Sequence, residues 1–158
     1  MLGSFGVGKT ALVQQYVNSM FSDVYLSSVG VKISKKTVRT DGTSVDFALW
    51  DLEGQDDYGA VNISYLRGAA GFFLVADGVR GETLSVALSL RAKALDTLGA
   101  DTPHLLLVNK EDLKEKWEIT DKVLDSLKAY GVRLLLTSAK TGLNVNEAFT
   151  LLAKDMLE

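Results

Sequence analysis

Gly3-Ser4-Phe5-Gly6-Val7-Gly8-Lys9-Thr10 fits the pattern G-x-x-x-x-G-K-[ST], a phosphate-binding loop. The residue types suit an anionic ligand. The glycines let the backbone curl so that successive N–H groups point at phosphate oxygens, and the helix that follows adds its positive N-terminal end. Lys9 supplies a mobile positive charge, and Thr10 offers a hydroxyl to Mg2+. Such a loop follows a central strand and opens a helix, so it predicts an α/β fold.

Outward from this loop, short apolar runs alternate with segments of helical period, the pattern of a mostly parallel sheet covered by crossover helices. Phe72-Phe73-Leu74-Val75-Ala76, Leu105-Leu106-Leu107-Val108 and Leu134-Leu135-Leu136 are continuous apolar stretches that end at polar residues, as for strands buried on both faces. Leu84, Ala87, Leu88, Arg91, Leu95 and Leu98 trace one helical stripe, and Val123, Leu124, Leu127 and Tyr130 trace another before Gly131. Asn144, with Glu147 three residues on, is placed to cap a last helix whose Ala148, Leu151, Leu152 and Met156 face inward. Val31 to Arg39 and Ser44 to Trp50 are joined by Asp41-Gly42, which favours an antiparallel hairpin. Lys32, Lys35 and Lys36 on its first strand either form a basic docking surface or protect an exposed sheet edge, and the edge reading is preferred. Met1-Leu2 alone precede the phosphate loop, so the first strand reads as truncated, either clipped or continued upstream of this numbering.

A length of 158 residues predicts a single domain over 1–158. Apolar residues at 47% and charged residues at 23% exclude disorder and a coiled coil. A net charge of −3 leaves no electrostatic footprint for a nucleic-acid partner. Without cysteine there is no disulfide, thiol nucleophile, zinc-thiolate site or lipid-acceptor thiol. No apolar run approaches the roughly 20 residues that span a bilayer, and the start lacks the regions of a signal peptide. The expectation is a cytoplasmic monomer with no membrane anchor in this chain. The one histidine, His104, follows Pro103 at the start of a strand and has no evident triad partner, so it reads as structural.

Three further polar motifs follow strands. Asp51-Leu52-Glu53-Gly54-Gln55 comes after Val45 to Trp50, where an acid at a strand's end can hold a metal's water shell and a glycine can bring its N–H to a phosphate. Asn109-Lys110-Glu111-Asp112 follows the strand ending at Val108, and Thr137-Ser138-Ala139-Lys140 follows the one ending at Leu136. In an open α/β sheet the ligand binds along that same edge, so all four motifs should converge on one site.

The order GxxxxGKT, DxxGQ, NKxD, SAK resembles that of the Ras-like small GTPases, over essentially the whole chain. Trp50-Asp51 before Gly54-Gln55, and Tyr65-Leu66-Arg67-Gly68-Ala69, are most similar to the Rab branch. The resemblance implies a P-loop NTPase fold: a six-stranded, mostly parallel sheet with one antiparallel edge strand and helices on both faces. It implies that Gly3, Phe5, Gly6, Val7, Gly8, Lys9, Thr10 and Ala11 hold the phosphates of GTP or GDP. It also implies that Thr10, Ser28 and, through water, Asp51 hold Mg2+. Asp112 would accept hydrogen bonds from guanine, Asn109 would brace base and loops, and Lys110 and Lys140 would lie along the base. The Ala139 N–H would donate to the guanine carbonyl while Ser138 fixes that loop. Phe21 would pack edge-on to guanine and Tyr25 would close over the phosphates. Lys9, Gly54 and Gln55 would form the catalytic set, with Gln55 orienting the attacking water. Effectors, an exchange factor and a GTPase-activating protein are the implied partners, with Ile33, Trp50, Tyr58 and Tyr65 forming the effector surface.

Some residues depart from the family pattern. Phe5 stands where a small residue is usual, Glu53 puts a carboxylate beside Gly54, and Ser28 replaces a threonine. The first two weigh against rapid hydrolysis and leave open a scaffold that holds GTP without turning it over. With no cysteine pair at its end, the chain lacks the prenyl anchor of eukaryotic Rab proteins, as a shortened chain or a soluble, prokaryotic relative would. An adenine-specific ATPase or kinase would share the phosphate loop but has no use for Asn109 and Asp112.

Overall fold

In the computed structural model the backbone is described for residues 1–17, 24–28, 31–51 and 63–158, and the side chains for 1–17, 33–50 and 64–158. The elements run α1 (Lys9–Val17), β1 (Val24–Ser28), β2 (Val31–Thr40), β3 (Thr43–Asp51), β4 (Phe72–Asp77), α2 (Glu82–Leu98), β5 (His104–Asn109), α3 (Asp121–Ala129), β6 (Leu134–Leu136) and α4 (Val145–Leu157). Short 3-10 turns at Ile63–Leu66 and Glu111–Lys116 complete the described chain.

The expected inner strands form a parallel sheet in the order β4-β5-β6. Residues in β4 and β5 alternate between two apolar layers, as the period of two requires. Phe72, Leu74, Ala76, Leu106 and Val108 meet Leu84, Ala87, Leu90 and Ala94 of α2 and Leu124 of α3. Phe73, Val75, Leu105 and Leu107 meet Leu12 and Val13 of α1 and Ala148, Phe149 and Leu152 of α4. Helices therefore cover both faces. β6 is less enclosed than expected, because all three of its residues are half-buried at the outside of the sheet.

The hairpin also forms. β2 and β3 pair antiparallel from Lys32↔Asp51 to Thr40↔Thr43 around Asp41 (φ 48°) and Gly42 (φ 79°). Two consecutive positive φ values match the right-handed twist of the strands, which is why Asp-Gly suits this turn. β1 was not anticipated: it lies antiparallel on β2 from Val24↔Ser34 to Ser28↔Val31, with an irregularity between Leu26 and Ser28. The edge reading is corrected for Lys32, which lies on a part of β2 flanked on both sides. Lys35 is exposed, while the Lys36 ammonium turns inward, donating to the Tyr16 carbonyl and lying 3.6 Å from the centre of the Tyr16 ring.

Among the described residues, the named strands pair as two three-stranded sheets, β1-β2-β3 and β4-β5-β6, where one six-stranded sheet was expected. Met1 and Leu2 lie in the seam between them. The Met1 amino group donates to the Trp50 carbonyl of β3, while Leu2 exchanges hydrogen bonds of 2.9 and 2.8 Å with Phe73 and Val75 of β4. Side chains join the halves further down. Phe149 of α4 is fully buried, stacks on Tyr16 of α1 and meets both Phe47 of β3 and Phe73 of β4 edge-on. Truncating such a ring to alanine costs about 4 kcal/mol.

Two helical expectations are corrected. Val123 and Tyr130 face solvent, because α3 is one short amphipathic helix that buries only Leu124 fully. Asn144 does occupy the N-cap position of α4, but its side chain makes no capping bond: in a left-handed conformation, it donates instead to the Leu136 carbonyl at 2.9 Å.

Candidate functional site

The phosphate loop is shaped by its glycines. Gly6 (φ 74°) and Gly8 (φ 102°) adopt left-handed backbone that other residues rarely enter. A Cβ on Gly8 would stand 2.3 Å from the Asn109 amide nitrogen, so the loop and β5 approach as closely as only glycine permits. Lys9 is buried, and its ammonium donates to the Gly3 and Ser4 carbonyls at 2.7 and 2.9 Å. The Ser4 hydroxyl is buried with no hydrogen-bond partner among the described residues. A buried ammonium, an orphaned hydroxyl and a curled glycine backbone together fit an anionic ligand.

The loops after β5 and β6 are tied to this one by a single side chain. Asn109 is buried, and its Nδ2 donates to the Val7 carbonyl at 3.0 Å. Its Oδ1 accepts from the Thr137 hydroxyl and the Ala139 N–H, each at 3.2 Å. Ser138 donates to Asp112 Oδ1 at 2.7 Å and accepts from the Thr141 N–H at 3.1 Å, so the half-buried carboxylate is held in one orientation. Three of the four motifs expected to converge do so. One detail differs from the assigned roles, because the Ala139 N–H already has an acceptor in Asn109 and must share or turn to reach a base.

Lys110 is held by its surroundings rather than lying loose. Its backbone is left-handed (φ 70°), its carbonyl accepts from the Trp117 indole at 2.8 Å, and its ammonium lies 2.7 Å from Asp77 Oδ2. Lys140 is exposed. Thr10 is half-buried at the start of α1, next to the exposed Ala11.

Of the fourth motif, only the backbone of Asp51 lies within the described residues. Ser28 ends β1 and Asp51 ends β3, and strand register places both at the same end of the sheet, opposite Val31 and Lys32 of β2. The side chains of Tyr25, Ser28 and Asp51, and all of Phe21, Glu53, Gly54, Gln55 and Tyr58, lie outside the described residues. By residue type, Thr10, Ser28 and Asp51 would offer only oxygen donors, the chemistry that Mg2+ takes.

Sequence reasoning missed Asp77. This carboxylate is buried at the end of β4, where Lys110, the Val79 N–H at 2.9 Å and the Arg80 guanidinium at 3.3 Å surround it. Burial pushes its pKa up, but the Lys110 ammonium, the Val79 N–H and Arg80 outweigh that and hold it below the ordinary value. Arg80 also donates to the Phe5 carbonyl at 2.6 Å. The available signal was position: Asp77 is the first polar residue after an apolar strand, as Asn109 and Thr137 are.

The comparisons fit this arrangement. The sequence matches the Ras family over residues 1–158. The chain belongs to the Ras family. Among curated proteins, it is 32% identical to Ras-related protein Rab-13 of Mesocricetus auratus, over 99% of this chain and 78% of that protein. It is 30% identical to Ras-related protein Rab-8B of Homo sapiens over 99% of this chain and 76% of the relative. Ras-related protein Rab-8 of Diplobatis ommata is likewise 30% identical, over 99% of this chain and 75% of its own length. Within the Ras family, this small GTPase therefore belongs with the Rab branch. No helix among its described residues is long and apolar enough to cross a membrane.

Proposed function

We propose that this Ras-family chain binds GTP and GDP, hydrolyses GTP slowly, and acts as a switch read by protein partners. The carrying observation is the Asn109 side chain, which links the phosphate loop at Val7 to the Thr137–Ala139 loop while Ser138 orients Asp112. One rigid network then presents backbone N–H groups to phosphates and a carboxylate to the paired donors on the edge of guanine. A carboxylate in that place rejects adenine, whose edge offers it an acceptor.

Lys9, whose ammonium is held by the Gly3 and Ser4 carbonyls, would supply positive charge to the phosphates. Thr10, Ser28 and Asp51 would hold Mg2+, which when bound neutralises phosphate charge. Gln55 would orient the attacking water and Gly54 would donate its N–H to the terminal phosphate, so that catalysis is positioning rather than covalent chemistry. Loss of that phosphate would release Ser28 and Gly54 together.

Partners would read the face carrying Trp50, Tyr65 and Ile33. Trp50 is exposed, its ring lies 6.2 Å from that of Tyr65, and Ile33 is its cross-strand neighbour. Exposed aromatics of this kind suit recognition of a protein surface.

One observation favours a second reading, a module that keeps GTP unhydrolysed. The Phe5 side chain is 63% exposed at the lip of the phosphate loop, where it can obstruct an incoming activator or water. Denaturing the purified protein and separating any released nucleotide by ion exchange distinguishes the readings. GDP supports the switch, GTP the non-hydrolysing module, and an adenine nucleotide would overturn both.

A further inference from the structure

The Arg80 side chain is built into the phosphate loop from outside it. Its Nη2 donates to the Phe5 carbonyl at 2.6 Å, and its Nε faces Asp77 Oδ2 at 3.3 Å. The backbone below is fixed too, because the Thr83 N–H and hydroxyl both donate to the Arg80 carbonyl, at 3.0 and 2.6 Å. Asp77, buried and also paired with Lys110, is an immobile anchor for the guanidinium. The side chain packs closely, since a Cβ on Gly6 would stand 3.5 Å from Nη2.

This grip has a consequence for the loop. No peptide bond among the described residues is cis, so the Phe5 carbonyl and the Gly6 N–H project from opposite edges of one planar unit. Holding the carbonyl outward on Arg80 aims the Gly6 N–H the other way, into the loop. Asn109 does the same one peptide pair further on, where its hold on the Val7 carbonyl aims the Gly8 N–H inward. Without a partner for the Phe5 carbonyl, that peptide is free to flip, because glycine at position 6 tolerates either orientation.

We propose that Arg80 is a positioning residue for phosphate binding, setting the Phe5–Gly6 peptide so that the Gly6 N–H is presented to the nucleotide's phosphates. This rests on the guanine-nucleotide reading above. Because Asp77 holds both Arg80 and Lys110, the same clasp couples the phosphate loop to the loop that would hold the base. Arg80 meets its two acceptors with different nitrogens, Nε and Nη2, in one rigid fork, whereas a lysine would have to bring both onto a single nitrogen.

The test compares GDP with guanosine, which lacks phosphates, on the nucleotide-stripped full chain, using calorimetry for GDP and ligand-observed NMR for guanosine. R80A should weaken GDP about tenfold, as expected for a lost hydrogen bond to a charged group, and leave guanosine within about twofold. R80K should recover only part of the GDP affinity. Unchanged GDP binding by R80A, equal losses for GDP and guanosine, or full recovery by R80K would each overturn the assignment. A wild-type chain that binds no GDP overturns the nucleotide reading itself, and this inference with it.

Discussion

Asn109 donates to the Val7 carbonyl across 102 residues of sequence, at 3.0 Å and out of contact with water. The same side chain accepts from Thr137 and Ala139, so removing it leaves several buried polar groups unpaired at once. N109A should lower the unfolding free energy by about 3 kcal/mol, measured by urea denaturation of the nucleotide-free chain. It should also speed GDP release. A variant as stable as wild type would mean that water replaces these bonds.

Gly78 leaves room for Trp117: a Cβ there would stand 2.0 to 2.4 Å from three atoms of the indole. G78A should displace the ring, free the Lys110 carbonyl that it holds, and cost about 2 kcal/mol by the same denaturation assay. Trp117 fluorescence should shift with it. Wild-type stability and an unshifted spectrum would show that the two segments separate freely.

Asp112 is oriented by Ser138 towards whatever base enters. D112N exchanges an acceptor pair for an acceptor and a donor, so preference should move from guanine to xanthine nucleotides. Competition between GDP and XDP reads this directly, and unchanged GDP preference would remove Asp112 from the base site.

Phe5 carries an exposed ring on a carbonyl that Arg80 holds. F5A removes the ring and leaves the backbone contact, and single-turnover GTP hydrolysis should rise by about tenfold, equivalent to 1.4 kcal/mol of barrier. An unchanged rate would clear the ring of obstruction.

His104 is held neutral between two partners. Arg91 Nε donates to its Nε2 at 2.8 Å, which places the ring proton on Nδ1, 2.8 Å from the Thr102 carbonyl it donates to. Burial lowers its pKa, the Thr102 carbonyl opposes that, and the charges of Arg91 and Arg133 lower it further. The unfolded chain therefore takes up a proton near pH 6.5 and the folded chain only at lower pH, so stability should fall as pH drops below 6.5. In H104Q this slope should disappear from urea midpoints measured between pH 5.5 and 7. An equal slope in the variant would assign it to other groups.

Much of this was legible in order along the chain. The alternation of apolar runs with helical stripes, the Asp41-Gly42 turn and the polar motif after each strand are local patterns, set by strand and helix periods and by what glycine allows. The glycine loop and the Asn109-to-Asp112 motif could be recognised because each packs its chemistry into eight residues or fewer. Val123 and Tyr130 were misplaced because a stripe shows a helical face but not whether a neighbour is there to cover it. Spacing places Asn144 at the N-cap position correctly but not its side chain, whose amide takes the Leu136 carbonyl, a partner that sequence spacing does not reveal.

The contacts that make the site one object span long distances in sequence. Asn109 reaching Val7, Ser138 reaching Asp112, and Arg80 reaching Phe5 join segments 26 to 102 residues apart. A motif states which groups are available, through the residue types it contains. Which of them are held, and in which direction, follows from packing: burial makes an unpaired polar group costly, so each takes the partner that the folded sheet edge brings within reach. Arg80 reads in sequence as one more surface charge, and becomes a grip on the phosphate loop only because β4 ends beside it.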